Sequence, residues 1–125
     1  FHSIHGTLNH ILVVDRVWFG RLTGTGHGIE SLDQTLYDDM GKLREARRAE
    51  DEKIIAIVGE LSEEDFTRPI AFQTMANTPR KMNGNEILMS VFNHQTHHRG
   101  QVTAMLAQAG ADYGDIDIPF FLEVF

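Results

Sequence analysis

An all-α helical bundle is the fold class that the sequence predicts, on three observations. Three long segments carry apolar residues at a helical period, near positions 4–22, 33–61 and 84–109. Turn-forming stretches rich in glycine, serine, threonine and proline separate them. A chain of 125 residues, 42% hydrophobic and 23% charged, supplies one core and has no room for two, so residues 1–125 read as a single domain.

The first helix is expected from about Ile4 to Leu22. Leu8, Leu12, Val13, Val14, Val17, Trp18 and Phe19 make it apolar on more than one side, and after Gly6 no glycine or proline interrupts it before Gly20. TGTGHGIESLD, residues 23–33, is longer than a tight connection needs and permits a crossover to a parallel neighbour. Its GTGHG lacks the lysine and preceding strand of a phosphate loop, so it reads as a flexible connection. From about Asp33 to Leu61 a second long helix is expected. Leu36, Met40, Leu43, Ile54, Ile57 and Leu61 step by fours and threes if Arg47 and Glu50 take the two seam positions between them.

Ser62 with Asp65 three residues later is a capping signature for one more turn of helix, ended by Pro69. Residues 70–82 alternate in part around an Ala-Asn-Thr-Pro turn at 76–79, which predicts a small hairpin or extended loop. The last long helix is expected from about Gly84 to Ala109, with Gly110 as its cap. The tail from Ala111 to Phe125 is expected to pack back over the bundle, with Trp18, Phe120 and Phe121 as packing residues.

A net charge of -7 argues against a general grip on nucleic acid or an anionic membrane, since both need basic patches. Without cysteine, any transition-metal site must use imidazole, carboxylate or solvent. No apolar run approaches the roughly 20 residues of a membrane span, and FHSIHGTLNH lacks the regions of a secretory signal, so a cytoplasmic location is expected.

NHQTHHRGQ, residues 93–101, holds three of the seven histidines. At about 100° per residue, Ile87, Val91, His94, Val102, Met105 and Ala109 fall within about 40° of His98, so His94 and His98 share the apolar stripe. His97 and Arg99 lie about 100° away on the flanks, Arg99 towards the surface or a subunit contact. Residues four apart on a helix present two ring nitrogens to one ion. On the first helix His10 aligns with Val14 and Val17, whereas His5 points away and His2 precedes the helix. A lone histidine on an apolar face is more often a hydrogen-bonded core residue than a ligand. A pair at this spacing with a third on another helix leaves metal site and packed core as the two readings. A zincin would need glutamate after the first histidine, where this chain has Gln95.

HGTLNHILVVDRVWFGRL, LYDDM and FNHQTHHRGQV followed by LAQAG closely resemble the DinB/YfiT-like superfamily over almost the whole chain, the HHRGQ ending most specifically. The resemblance implies a four-helix bundle with a divalent metal held by three histidines, carried here by His10, His94 and His98. It also implies a long helix before residue 1, so the domain is expected to be N-terminally incomplete.

The function expected is that of a metal-dependent enzyme acting on small molecules. Resemblance to related families points to thiol-dependent S-transferase-like chemistry with a low-molecular-weight thiol. The alternatives are a metal-dependent hydrolase and a non-enzymatic metal-binding stress-response protein. Zinc, nickel, iron or copper suits three imidazoles. His97, Glu50 and Asp51 are the candidate proton-accepting residues. A homodimer is expected, because Leu8, Leu12 and Phe19 lie opposite the His10 face and need a cover.

Overall fold

The structure, a computed structural model, describes residues 3–122, with the side chains of Phe121 and Leu122 left out. His2, the packing role of Phe121 and the end of the tail fall outside what it describes. The described chain is mostly helical, with three long helices, two short ones and a two-stranded antiparallel sheet.

Helix α1 spans Ile4–Thr23. The Ser3 side chain accepts the Gly6 N–H at its start, and Gly24 at φ 72° closes it in a left-handed conformation that suits glycine. It is the most buried element. Leu12, Val13, Val17, Phe19 and Leu22 are inaccessible or nearly so, as its multi-sided apolar pattern requires.

Helix α2 spans Met40–Glu60, shorter at its start than the sequence predicts. Residues 24–39 form a long connection. Leu36 packs beside Val13, Val17 and Ile29 from this connection, and Asp39 caps α2 by accepting the Lys42 N–H. The difference has a tertiary cause. The Asn9 side chain of α1 accepts the N–H groups of Leu36 and Tyr37 at 2.9 and 3.0 Å and donates to the Tyr37 carbonyl at 3.1 Å. Helical backbone there would have used those groups itself.

Helix α3, Glu63–Thr67, starts with the capping box at Ser62 and Asp65. Strands β1 (Pro69–Gln73) and β2 (Pro79–Asn83) pair with Pro69 opposite Asn83 and Gln73 opposite Pro79, so the expected hairpin is present. Asn77 at φ 56° sits in its turn. Trp18 meets Phe72 edge to face at 5.5 Å, and the Arg21 guanidinium lies over both rings. Helix α4, Gly84–Gln108, opens with a second capping box made by Asn83 and Glu86.

Helices α1 and α4 run antiparallel: Phe19 and Leu22 share a core cluster with Ile87, Leu88 and Val91, while His10 meets His94. The tail departs from expectation. Residues 111–120 are exposed, Ile118 and Phe120 among them, and a short helix α5, Ile118–Leu122, follows Asp117. The stripe expected to need a second subunit is largely covered within the chain, with Leu12 and Phe19 buried and Leu8 partly so. No described helix is long and apolar enough to cross a membrane.

At Gly84, α4 passes so close to α3 that a Cβ would collide with the Asp65 carbonyl oxygen, whereas a Cβ at Gly59 in α2 meets open space. Gly84→Ala is expected to cost about 1–3 kcal/mol of stability, and Gly59→Ala to add about 0.5–1 kcal/mol. Urea unfolding of both variants measures this, and equal effects of one sign would contradict the packing described.

Candidate metal centre

His10 reaches the centre from α1 and the other two histidines from α4, because the antiparallel pairing of those helices sets residue 10 beside residues 94 and 98. His10 and His98 are 8% and 9% exposed, and His94 is partly buried. The three rings pack edge to face at centroid distances of 4.9, 4.7 and 4.4 Å. One nitrogen from each lies within 4.8 Å of the others, a set that can hold a metal ion.

Outer hydrogen bonds orient two of the rings. His10 Nδ1 lies 2.8 Å from the Leu32 carbonyl oxygen, which can only accept, so Nδ1 carries the proton and Nε2 turns inward with its lone pair. His98 Nδ1 lies 2.8 Å from Gln101 Oε1, with the same consequence. Imidazole ligands of metals are held by this kind of outer partner. His94 differs, for its Nε2 lies 3.0 Å from His10 Nε2 and its buried Nδ1 has no partner.

These features fit a cation. Two nitrogens bonded to one tetrahedral ion at about 2.0–2.1 Å stand roughly 3.3 Å apart, close to the separation of His10 and His94. In a purely packed core, an orphaned buried nitrogen costs about 1–3 kcal/mol. Protonation does not relieve it. Burial, followed by the charges of His98, His10 and His97, pushes His94 down to about 4. Burial likewise lowers His10, against the opposing pull of the Leu32 carbonyl and with a smaller push from His98. Neutral imidazoles are the state in which histidine binds metal.

An open pocket of about 460 Å³ adjoins the centre, lined by His98, Gln101, Ala104, Met105 and Gln108, with no carboxylate in its wall. His97 is exposed, its ring 4.8 Å from that of His98, and its Nε2 lies 3.2 Å from Gln101 Nε2. The other sequence candidates sit elsewhere. Glu50 is buried on α2 and accepts from Arg16 Nε at 3.0 Å. Asp51 pairs with Arg47 at 2.7 Å and borders a separate groove that no histidine lines. His5 contacts Asn9, and His27 accepts the Ile29 N–H inside the connection.

Sequence reasoning missed Leu32, Gln101, Asn9 and Asp15. A backbone carbonyl from an irregular connection leaves no sequence signal. Gln101 had one, since it follows His98 by three residues on the same helix. Asp15 had another, as the acid that interrupts the apolar run LVVDRV.

A family model described as the DinB family matches residues 1–124. The chain is 31% identical over 132 aligned residues to Protein DinB of Bacillus subtilis (strain 168), across 91% of this chain and 72% of that protein. No solved structure gives a significant match.

The depressed His94 makes the metal-free protein sensitive to mild acid. Its folded value, about 4, lies below the 6.5 of an unperturbed imidazole. The unfolded chain therefore takes up this proton first, and stability present above pH 6.5 is lost as pH falls towards 4. The urea midpoint should fall between pH 7 and pH 5 in the parent, and by less in His94→Gln. Equal pH dependence in both would show that His94 is not the group responsible.

Proposed function

The chain belongs to the DinB family, and we propose that it is a divalent-metal-binding member that acts as an enzyme on small molecules, by thiol-dependent S-transferase-like chemistry. The observation that carries this reading is the cluster of three imidazoles, two of them oriented by Leu32 and Gln101, beside a pocket whose wall offers no carboxylate. His10, His94 and His98 are the proposed ligands. A bound zinc, nickel or iron ion would supply a Lewis acid with an open position, which lowers the pKa of a thiol.

The chain's own residues divide the remaining work. The Leu32 carbonyl and the Gln101 amide keep the outer protons of His10 and His98 in place and hold their rings in register. His97, exposed with its ring 4.8 Å from that of His98, is the proposed acceptor of a proton released by an incoming thiol. Glu50 and Asp51 are committed to Arg16 and Arg47, which favours a substrate that needs no strong carboxylate base. Hydrolysis by activated water is the second reading; it needs such a base or His97 in that role.

The four-helix architecture is part of the same proposal. Its support is a groove of about 470 Å³ with an apolar floor of Leu8, Ile11, Met40 and Leu43, a face suited to a further helix. A second copy of the chain has only Leu8 of the original stripe left to cover.

The intact protein, purified without chelator or affinity tag, should carry about one divalent transition metal per chain. His98→Ala should lose most of it and His27→Ala none, as measured by elemental analysis. Full occupancy in His98→Ala would remove His98 from the ligand set. Because burial lowers His10 and takes His94 down to about 4, bound metal should be retained below the ordinary imidazole range and released as pH falls towards about 4.

Cobalt-loaded protein tests the chemistry. Titration with glutathione, bacillithiol or mycothiol should raise a sulfur-to-metal charge-transfer band that His94→Ala abolishes. A spectrum indifferent to all three thiols, with exchangeable water on the cobalt, would favour the hydrolase. A cobalt with no exchangeable position would leave a structural, non-enzymatic metal.

A further inference from the structure

Asp15 is fully buried in the middle of α1, yet it takes no part in the histidine cluster. Its Oδ2 accepts two hydrogen bonds from two other helices, from Arg47 Nη1 of α2 at 2.5 Å and from Gln95 Nε2 of α4 at 2.9 Å. Gln95 is itself buried, and its Oε1 accepts from Arg99 Nη1 at 3.2 Å. Both amide ends of Gln95 are thereby engaged, so the side chain has one orientation. Among the described residues, the Asp15–Gln95 bond is the one hydrogen bond that joins α1 to α4 outside the histidines.

Its place along the helices is what matters. Gln95 directly follows His94 and precedes His98 by three residues, while Asp15 lies five residues beyond His10. Towards the other end of the α1–α4 contact the two helices meet through Phe19, Leu22, Ile87, Leu88 and Val91. Apolar contacts of that kind hold helices together but are not directional, and they tolerate small slides. Hydrogen bonds to a buried carboxylate do not tolerate them, because an acceptor left unmet in the interior carries its full desolvation cost.

We propose that the Asp15–Gln95 hydrogen bond is a positioning clamp that fixes α1 against α4 at the register where His10 meets His94 and His98. The proposal rests on those histidines being the metal ligands, but it also makes a claim about the metal-free molecule. Without the clamp, α1 is free to shift along α4, and a shift of a few tenths of an ångström is enough to spoil ligand geometry. Gln95 acts through the position of its helix and touches neither metal nor substrate.

The test compares the parent with Gln95→Leu, which removes the amide at similar volume, and Asp15→Asn, whose side-chain oxygen still accepts from Gln95. Ile54→Val serves as a control that loosens the core far from the histidines. In metal-free protein, the through-hydrogen-bond ¹⁵N–¹⁵N coupling between His10 Nε2 and His94 Nε2 should be present in the parent, Asp15→Asn and Ile54→Val, and lost in Gln95→Leu. In the same set, Co²⁺ affinity measured against a competing chelator should fall about tenfold or more in Gln95→Leu, with altered cobalt d–d bands. It should remain near the parent's in Asp15→Asn and Ile54→Val. If Gln95→Leu fails to fold, Gln95→Asn, one methylene short of Asp15, takes its place with the same expectation.

Unchanged coupling and affinity in the Gln95 variant, or an equal loss in Ile54→Val, overturns the clamp. A parent that binds no Co²⁺ overturns the metal-site reading instead, and the coupling in metal-free protein still decides whether the clamp exists.

Discussion

Three of the four polar side chains buried on α1 set where the neighbouring elements go, because each must find hydrogen bonds inside the protein. Asn9, His10 and Asp15 are 1%, 8% and 0% exposed. Asn9 donates to the His5 carbonyl of its own helix at 3.2 Å, but its side-chain oxygen and the other two side chains find partners beyond α1. Asn9 draws in the connection at Leu36 and Tyr37, His10 takes the Leu32 carbonyl and a histidine of α4, and Asp15 takes α2 and α4 together. Apolar burial supplies most of the driving force for the bundle, but it is indifferent to small slides and rotations. The polar contacts remove that indifference.

The connection between α1 and α2 shows the consequence. Sixteen positions, 24–39, lie without helix between the two, longer than most connections in compact domains. Its glycines at 24, 26 and 28 have positive φ and free the backbone to turn. Beyond those glycines the chain is held firmly: Ile29 is buried against Val13 and Val17, and Asn9 pins residues 36 and 37. The same stretch delivers the Leu32 carbonyl to His10, so a segment with the composition of a flexible loop orients one of the three histidines.

The polar positions in the α2 seam have an electrostatic explanation. Arg47 and Glu50 face neighbouring residues of α1, pairing with Asp15 and Arg16 respectively. Buried ion pairs contribute little net stability, since desolvation offsets much of the attraction. They do penalise misplacement, because either partner alone would leave a charge in the interior. Burial raises the Asp15 carboxyl despite the hydrogen bonds from Gln95 and Arg47, so Asp15 is held at an electrostatic cost that this network offsets.

The helices α1, α3 and α4, the hairpin turn and the facing of His94 with His98 were legible in the residues alone. Each depends on local spacing: an apolar period, a cap, or two residues four apart on one helix. His10 was legible too, because it shares an apolar stripe with Val14 and Val17. Local spacing failed at the start of α2, where residues 33–39 have a helical pattern but Leu36 and Tyr37 give their backbone donors to Asn9. It failed again in the tail, where Ile118 and Phe120 are apolar yet exposed. Which histidine nitrogens turn inward, and which carboxylates are spent on arginines, were decided only by the tertiary structure. For His10, Asp15 and Glu50 the choice is made by partners more than 20 residues away in the chain, Leu32, Arg47 and Arg16 respectively. A one-dimensional pattern holds no record of which backbone carbonyl or guanidinium will arrive there.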